Sequence, residues 1–183
     1  MVGLCVTLTE PGMEHGDSSS TRPATELTRH FVATVYVVHA GATALHAHDR
    51  LGMWLPPGGH LDRDELPHEA AQREVREETG LAVDLLAPTG PIDGDGVRSL
   101  PEPAHLLLED IDVHDGYVSH QHVDFVFFGA VASRAIDPGP GEAPAADWRW
   151  FTPDDLRAEG ELAPDVVELG AAAIAAVDGT DVR

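Results

Sequence analysis

The sequence predicts a single mixed α/β domain of the α+β kind, and three observations lead there. The chain has 183 residues, the size of one ordinary domain. Apolar residues make up 43% of it, enough to build a core. Short β-rich runs alternate irregularly with a few helical stretches, which is not the pattern of a regular βαβ repeat.

The elements follow in order. Residues 1–28 read as an N-terminal tail, because Thr9 to Thr25 is rich in Ser, Gly, Pro, Thr and acids. Met13 offers an alternative start within it. The domain is assigned to residues 29–178. Phe31 to Val38 (FVATVYVV) is apolar on both faces, as in a buried strand. Ala42 to His48 reads as a second strand after a turn at Gly41. Pro56-Pro57-Gly58-Gly59 reads as a tight turn in a loop from Leu51. Pro67 to Thr79 reads as a helix, with proline in its first turn and Gly80 just past its end. Leu66 is a poor N-cap, which makes the start of that helix weaker than its stop. Leu81 to Leu86 is a short strand, and Ala87 to Pro103 a Pro/Gly/Asp-rich surface loop. His105 to Ile111 and His122 to Ala132 are strands, and Pro138 to Pro144 is a loop. Asp147 to Phe151 is a last strand, followed by helices at Pro153 to Ala158 and Pro164 to Val177.

Composition excludes several classes. The formal net charge is -21, from 32 acidic residues against 11 basic ones, all of them Arg. Such a surface repels nucleic-acid backbones, so a generic nucleic-acid-binding module is disfavoured. The same acid excess without Lys resembles proteins of salt-loving organisms, since at molar salt the Debye length falls to roughly 3 Å. No apolar run approaches the roughly 20 residues of a membrane span. The N-terminus has no basic stretch leading into a long apolar one, so a cytoplasmic protein is expected. Cys5 is the sole cysteine, which rules out an internal disulfide and a cysteine-based zinc site.

The chemistry concentrates in the first helix. Glu74, Glu77 and Glu78 stand at i, i+3 and i+4 and so share an arc of about 100°. Ala70, Ala71 and Val75 border that arc, so the carboxylates face a cleft. Their mutual repulsion would be relieved by a hard divalent cation, Mg²⁺ being the usual one beside phosphates. Arg73 is spaced to pair with Glu77 or Glu69. By itself, such a helix is more often a solvated acidic face. The preceding glycines alter that balance, because they let backbone groups approach a ligand closely.

Gly59, five residues, Glu65, seven residues, Arg73-Glu74-Val75, one residue, Glu77-Glu78, one residue, Gly80-Leu81: this run resembles the Nudix box at every defining position. A chance match of this completeness is on the order of one in a million. The flanks agree: the segment Trp150 to Leu156 is similar to the late strand-then-helix of the Nudix domain. The resemblance implies the Nudix fold, an α/β/α sandwich around a mixed central β-sheet, over roughly Arg29 to Val177.

It further implies a MutT-like hydrolase that cleaves a diphosphate linkage in a nucleoside diphosphate derivative by water attack at phosphorus, with Mg²⁺ or Mn²⁺. Glu74, Glu77 and Glu78 would be metal ligands, with the Gly59 carbonyl as a helper. Glu65 would support the metal or the water, and Arg73 would orient the carboxylates. The general base is open between Glu74, Glu78 and the later acids Glu109, Asp110, Asp124 and Glu142. Arg50 and His60 are candidate phosphate contacts, Trp54 a candidate for base stacking, and Asp124 a candidate site residue or a strand-end acid. His46, His48, His120 and His122 also flank the cleft strands; no His-x-x-x-His helix motif points to zinc. A homodimer is an expectation from the family.

The substrate is not read. Gly96 stands where ADP-ribose hydrolases carry a proline, and the tyrosine of dinucleoside-polyphosphate hydrolases and the NADH-type SQPWPFPxS run are missing. An isopentenyl-diphosphate isomerase needs a core cysteine, whereas Cys5 falls in the tail. A non-catalytic nucleotide sensor is the alternative; such domains often lose box carboxylates, and none is lost here.

Overall fold

A computed structural model describes residues 27–48 and 52–179. The tail expected over residues 1–28 therefore lies outside the described residues except for its last two, and so does Arg50. Ten strands are described: β1 (Thr28–His39), β2 (Ala42–His48), β3 (Met53–Leu55), β4 (Gly58–His60), β5 (Val83–Leu85), β6 (Asp93–Gly94), β7 (Val97–Arg98), β8 (His105–His114), β9 (Tyr117–Val131) and β10 (Trp148–Phe151). The α-helices are α1 (Pro67–Thr79), α2 (Pro153–Ala158) and α3 (Pro164–Val177), with one 3₁₀ turn at Ala145–Asp147.

Eight of these strands form one mixed sheet with the spine β10-β2-β1-β9-β5. The parallel pair is β1 with β9, in register from Thr28 opposite His120 to Val38 opposite Ala130. All other pairings are antiparallel. β4 covers the first part of β1, at Val32 to Thr34, while β2 takes its end. β8 and β5 divide β9 in the same way.

The two-residue period of β1 sorts its side chains to two cores. Ala33, Val35 and Val37 pack with Ala70, Ala71 and Val75 of α1 on one face. Tyr36 and Val38 pack with Leu156 of α2 and Val166, Ala173 and Ile174 of α3 on the other. Both faces of the strand are buried, and the result is the α/β/α sandwich. No helix among the described residues is long and apolar enough to cross a membrane.

Three local expectations are corrected. Gly58-Gly59 do not make a tight turn: with His60 they form β4, paired to β1. The Ala87–Pro103 loop holds a small β6–β7 hairpin, with Thr89 bridged to Pro101. β8 and β9 run longer than expected and meet at Asp115-Gly116, because pairing with each other extends polar segments that the apolar pattern alone would end. α1 starts at Pro67 despite its apolar N-cap, since the Glu69 carboxylate accepts the Leu66 N–H at 3.0 Å. It ends where Gly80 adopts a left-handed conformation, φ 72°.

Candidate active site

α1 lays its apolar stripe on the sheet, and this determines which box carboxylates are drawn in. Glu78 lies on the buried side beside Val75 and is 8% exposed. Glu74 is half-buried and Glu77 exposed. The Gly58 N–H donates to Glu78 Oε1 at 2.9 Å, tying α1 to β4. Gly59 pairs with Ala33, so it faces α1, and the space a Cβ would take there is filled by the Glu74 carboxylate. Any larger residue at 59 would displace that carboxylate.

Arg73 joins the box together. Its Nε and Nη2 form a fork on Glu65 at 2.8 and 2.9 Å. Nη1 donates to Glu74 at 2.8 Å and to Glu77 at 3.0 Å, and Nη2 also donates to the His60 carbonyl at 3.0 Å. One guanidinium thus fixes three carboxylates and the end of β4, a geometry that suits its planar set of donors. The sequence spacing suggested Glu77 or Glu69 as its partner; Glu69 is instead taken up in capping Leu66. Hydrogen bonding from Arg73 holds the Glu65 carboxyl below its usual range.

α1, β4 and the sheet open onto a cleft of about 1010 Å³ whose wall includes Glu78, His60, His122, Asp124 and Glu142. Burial, with Glu74, Glu142 and Glu77 nearby, pushes Glu78 up to about 8 against the pull of the Gly58 N–H. Burial also raises Glu74. His46 Nε2 stands 3.9 Å from Glu78 Oε2, its ring stacked on Trp148 at 4.8 Å, and burial lowers its pKa. Glu78, on the cleft wall, and Glu74, packed against Gly59 behind it, therefore form an oxygen-rich, mutually repelling pair. That donor set fits a hard divalent cation, which would replace the proton that burial favours.

Asp124 is not a strand-end acid. It lies inside β9, opposite Leu107 and Val32, and is 3% exposed. Burial raises it to about 7, opposed by a hydrogen bond from Thr34, and its Oδ1 has no partner among the described residues. Trp54 turns to the second core instead of a base-stacking position, edge-on to Phe151 at 5.1 Å. Glu109, from β8, lines the same cleft and is raised by burial and then by Asp165. The structure thus joins Glu65, Arg73, Glu74 and Glu77 in one network, with Gly59 packed against Glu74, Glu78 held separately by the Gly58 N–H, and His60 and Asp124 on the cleft wall. Trp54 is apart from them, and Arg50 is outside the described residues.

Sequence reasoning placed Gly58 in a turn without its bond to Glu78, and missed Thr34 and His30. A signal for two of them was available: His30, Val32, Thr34 and Tyr36 alternate along β1 and must share one sheet face.

The NUDIX domain family model matches residues 28–171, well over half of the chain. The crystal structure of a NUDIX-family hydrolase from Clostridium perfringens superposes with a TM-score of 0.69 at 31% identity, over 82% of this chain and 99% of that one. A MutT protein from Methanosarcina mazei shares the fold, with a TM-score of 0.59 at 15% identity over 85% of this chain and 99% of that one. Among curated proteins, an RNA pyrophosphohydrolase from Erythrobacter litoralis is 31% identical over 111 residues, which is 58% of this chain. The match spans 63% of that relative's length. With the sandwich, the complete box network and these matches in agreement, the chain belongs to the Nudix family.

Proposed function

We propose that this protein is a Mg²⁺-dependent hydrolase, with Mn²⁺ as a substitute, that cleaves a diphosphate linkage in a small nucleoside diphosphate derivative. The observation that carries this is the buried Glu78 beside Glu74, braced by the Arg73 network at the wall of a cleft. Glu74 and Glu78 would hold the metal, with Glu77 and the Gly59 carbonyl beside them. When bound, the metal neutralises phosphate charge and makes an attacking water more acidic. Arg73 and Glu65 hold the helix carboxylates in position. Glu142, which is felt electrostatically at both Glu74 and Glu78, accepts the proton of the attacking water in this reading.

A second reading has one observation in its favour, the likeness to an RNA pyrophosphohydrolase. The net charge of -21 opposes a long polyanionic substrate, so a small molecule is preferred. The test is a screen of nucleoside diphosphate derivatives and of RNA bearing a 5′-terminal polyphosphate, with Mg²⁺ or Mn²⁺, at low and molar salt. Turnover of a small substrate that is lost in Glu78→Gln supports the proposal. Turnover of the RNA alone favours the second reading. Tight nucleotide binding without any turnover would instead mark a sensor.

A further inference from the structure

Four imidazoles meet on the sheet face opposite α1. They come from three strands: His30 from β1, His60 from the end of β4, and His120 and His122 from β9. The register brings them together. His30 stands opposite His122 in the parallel pair, and His60 stands opposite Val32, the next residue of β1 on that face. Ring centroids lie 4.7 Å apart for His30 and His120, 5.1 Å for His30 and His60, and 5.0 Å for His122 with both His60 and His120.

One ring nitrogen each from His30, His60 and His120 falls within 4.8 Å of the other two. A tetrahedral Zn²⁺ with nitrogen ligands needs them roughly 3.4 Å apart. Side-chain rotation closes that gap, because His30 and His60 are exposed while their backbones are fixed by strand pairing. One tautomer of His120 suits ligation. Thr28 Oγ1 donates its proton to the Ser119 carbonyl at 3.3 Å and lies 2.8 Å from His120 Nδ1. The hydroxyl then accepts from Nδ1–H, which leaves the Nε2 lone pair for a metal. His122 completes the group, its ring meeting those of His60 and His120.

We propose that His30, His60 and His120, with His122 as a fourth neighbour, form a second metal site that takes a transition-metal ion of the Zn²⁺ type at the mouth of the cleft. Its donors distinguish it from the box: imidazole nitrogens select Zn²⁺, Ni²⁺ or Cu²⁺, whereas the α1 carboxylates suit Mg²⁺ or Mn²⁺. His60 is then a metal ligand rather than a direct phosphate contact. Arg73 links the two sites, since the guanidinium that braces Glu65, Glu74 and Glu77 also holds the His60 carbonyl. The proposal stands on the imidazole geometry and does not depend on the hydrolase reading.

The test uses the untagged full chain, stripped with chelator and titrated with Zn²⁺ by calorimetry in excess Mg²⁺. Co²⁺ absorption then reports the ligand geometry. The expected result is one Zn²⁺ per chain that Mg²⁺ does not displace, with a tetrahedral Co²⁺ spectrum. His30→Ala and His120→Ala should each weaken Zn²⁺ binding by about 100-fold or more, since losing a partner that only supports a ligand already costs about 10–100-fold. Both variants should keep their metal-free unfolding temperature. Should His120→Ala fail to fold, the exposed His30→Asn gives the same reading. Absence of Zn²⁺ binding overturns the proposal. So does binding that Mg²⁺ or Glu78→Gln abolishes, or that the folded histidine variants leave unchanged.

Discussion

Arg73→Lys is a small change in charge and a large one in geometry. Arg73 makes two bonds to Glu65, one each to Glu74 and Glu77, and one to the His60 carbonyl, all between 2.8 and 3.0 Å. A lysine ammonium is one nitrogen and cannot reproduce the fork on Glu65 while also reaching Glu74. Charge-assisted bonds are worth about 1.5–3 kcal/mol each, and less where solvent screens them. Arg73 is partly exposed, so losing two bonds should cost about 2 kcal/mol. For a domain of this size that lowers the unfolding temperature by roughly 4–8 °C. The effect on catalysis should be larger: freeing Glu74 by about an ångström is enough to cost on the order of 100-fold in turnover. Thermal unfolding and steady-state kinetics at saturating Mg²⁺ measure both. A variant with the parent's unfolding temperature and kcat would refute the view that Arg73 positions the carboxylates.

Further outcomes follow from the same geometry. Gly59→Ala forces a Cβ against the Glu74 carboxylate, and should weaken Mg²⁺ binding and turnover by roughly 10–100-fold with the fold retained; an unaffected Mg²⁺ titration would contradict this. Asp124 has a folded pKa of about 7, above its unfolded value, so its contribution to stability is present at acid pH and lost as pH rises towards 7. Asp124→Asn should therefore flatten the fall in stability between about pH 4 and 7 and raise stability at pH 8, which denaturant unfolding across pH would measure. Glu78, pushed up to about 8, imposes the same sign on the metal-free protein. Mg²⁺ binds the carboxylate form, so the rise in unfolding temperature on adding Mg²⁺ should grow as pH increases through 6 to 9; a pH-independent rise would count against Glu78 as a ligand.

The unfolding experiments and the variants above all address residues whose importance was legible in different degrees. α1 was legible at both ends, because Pro67, Gly80 and the alanine stripe are local signals. β2, α2 and α3 were also read at the bounds they take, from short-range patterns alone. The box spacing pointed to Glu74, Glu77, Glu78 and Arg73 for the same reason: a helix converts sequence intervals directly into angles.

What the tertiary structure decided was every relation that depends on strand pairing between distant segments. Gly58-Gly59 became a strand because β1 offered unpaired backbone to it, and no local feature announces that. Asp124 became a buried carboxyl because β1 and β8 flank it on both sides, whereas its place at the opening of an apolar run had suggested a strand end. The histidines at 30, 60, 120 and 122 are separated by up to 92 positions, yet the β1–β9 register makes them neighbours. The sequence by itself determined the family, the acidic helix and the chain's local elements. Register, which is fixed by long-range burial and backbone hydrogen bonding, determined which of the remaining polar side chains share the cleft.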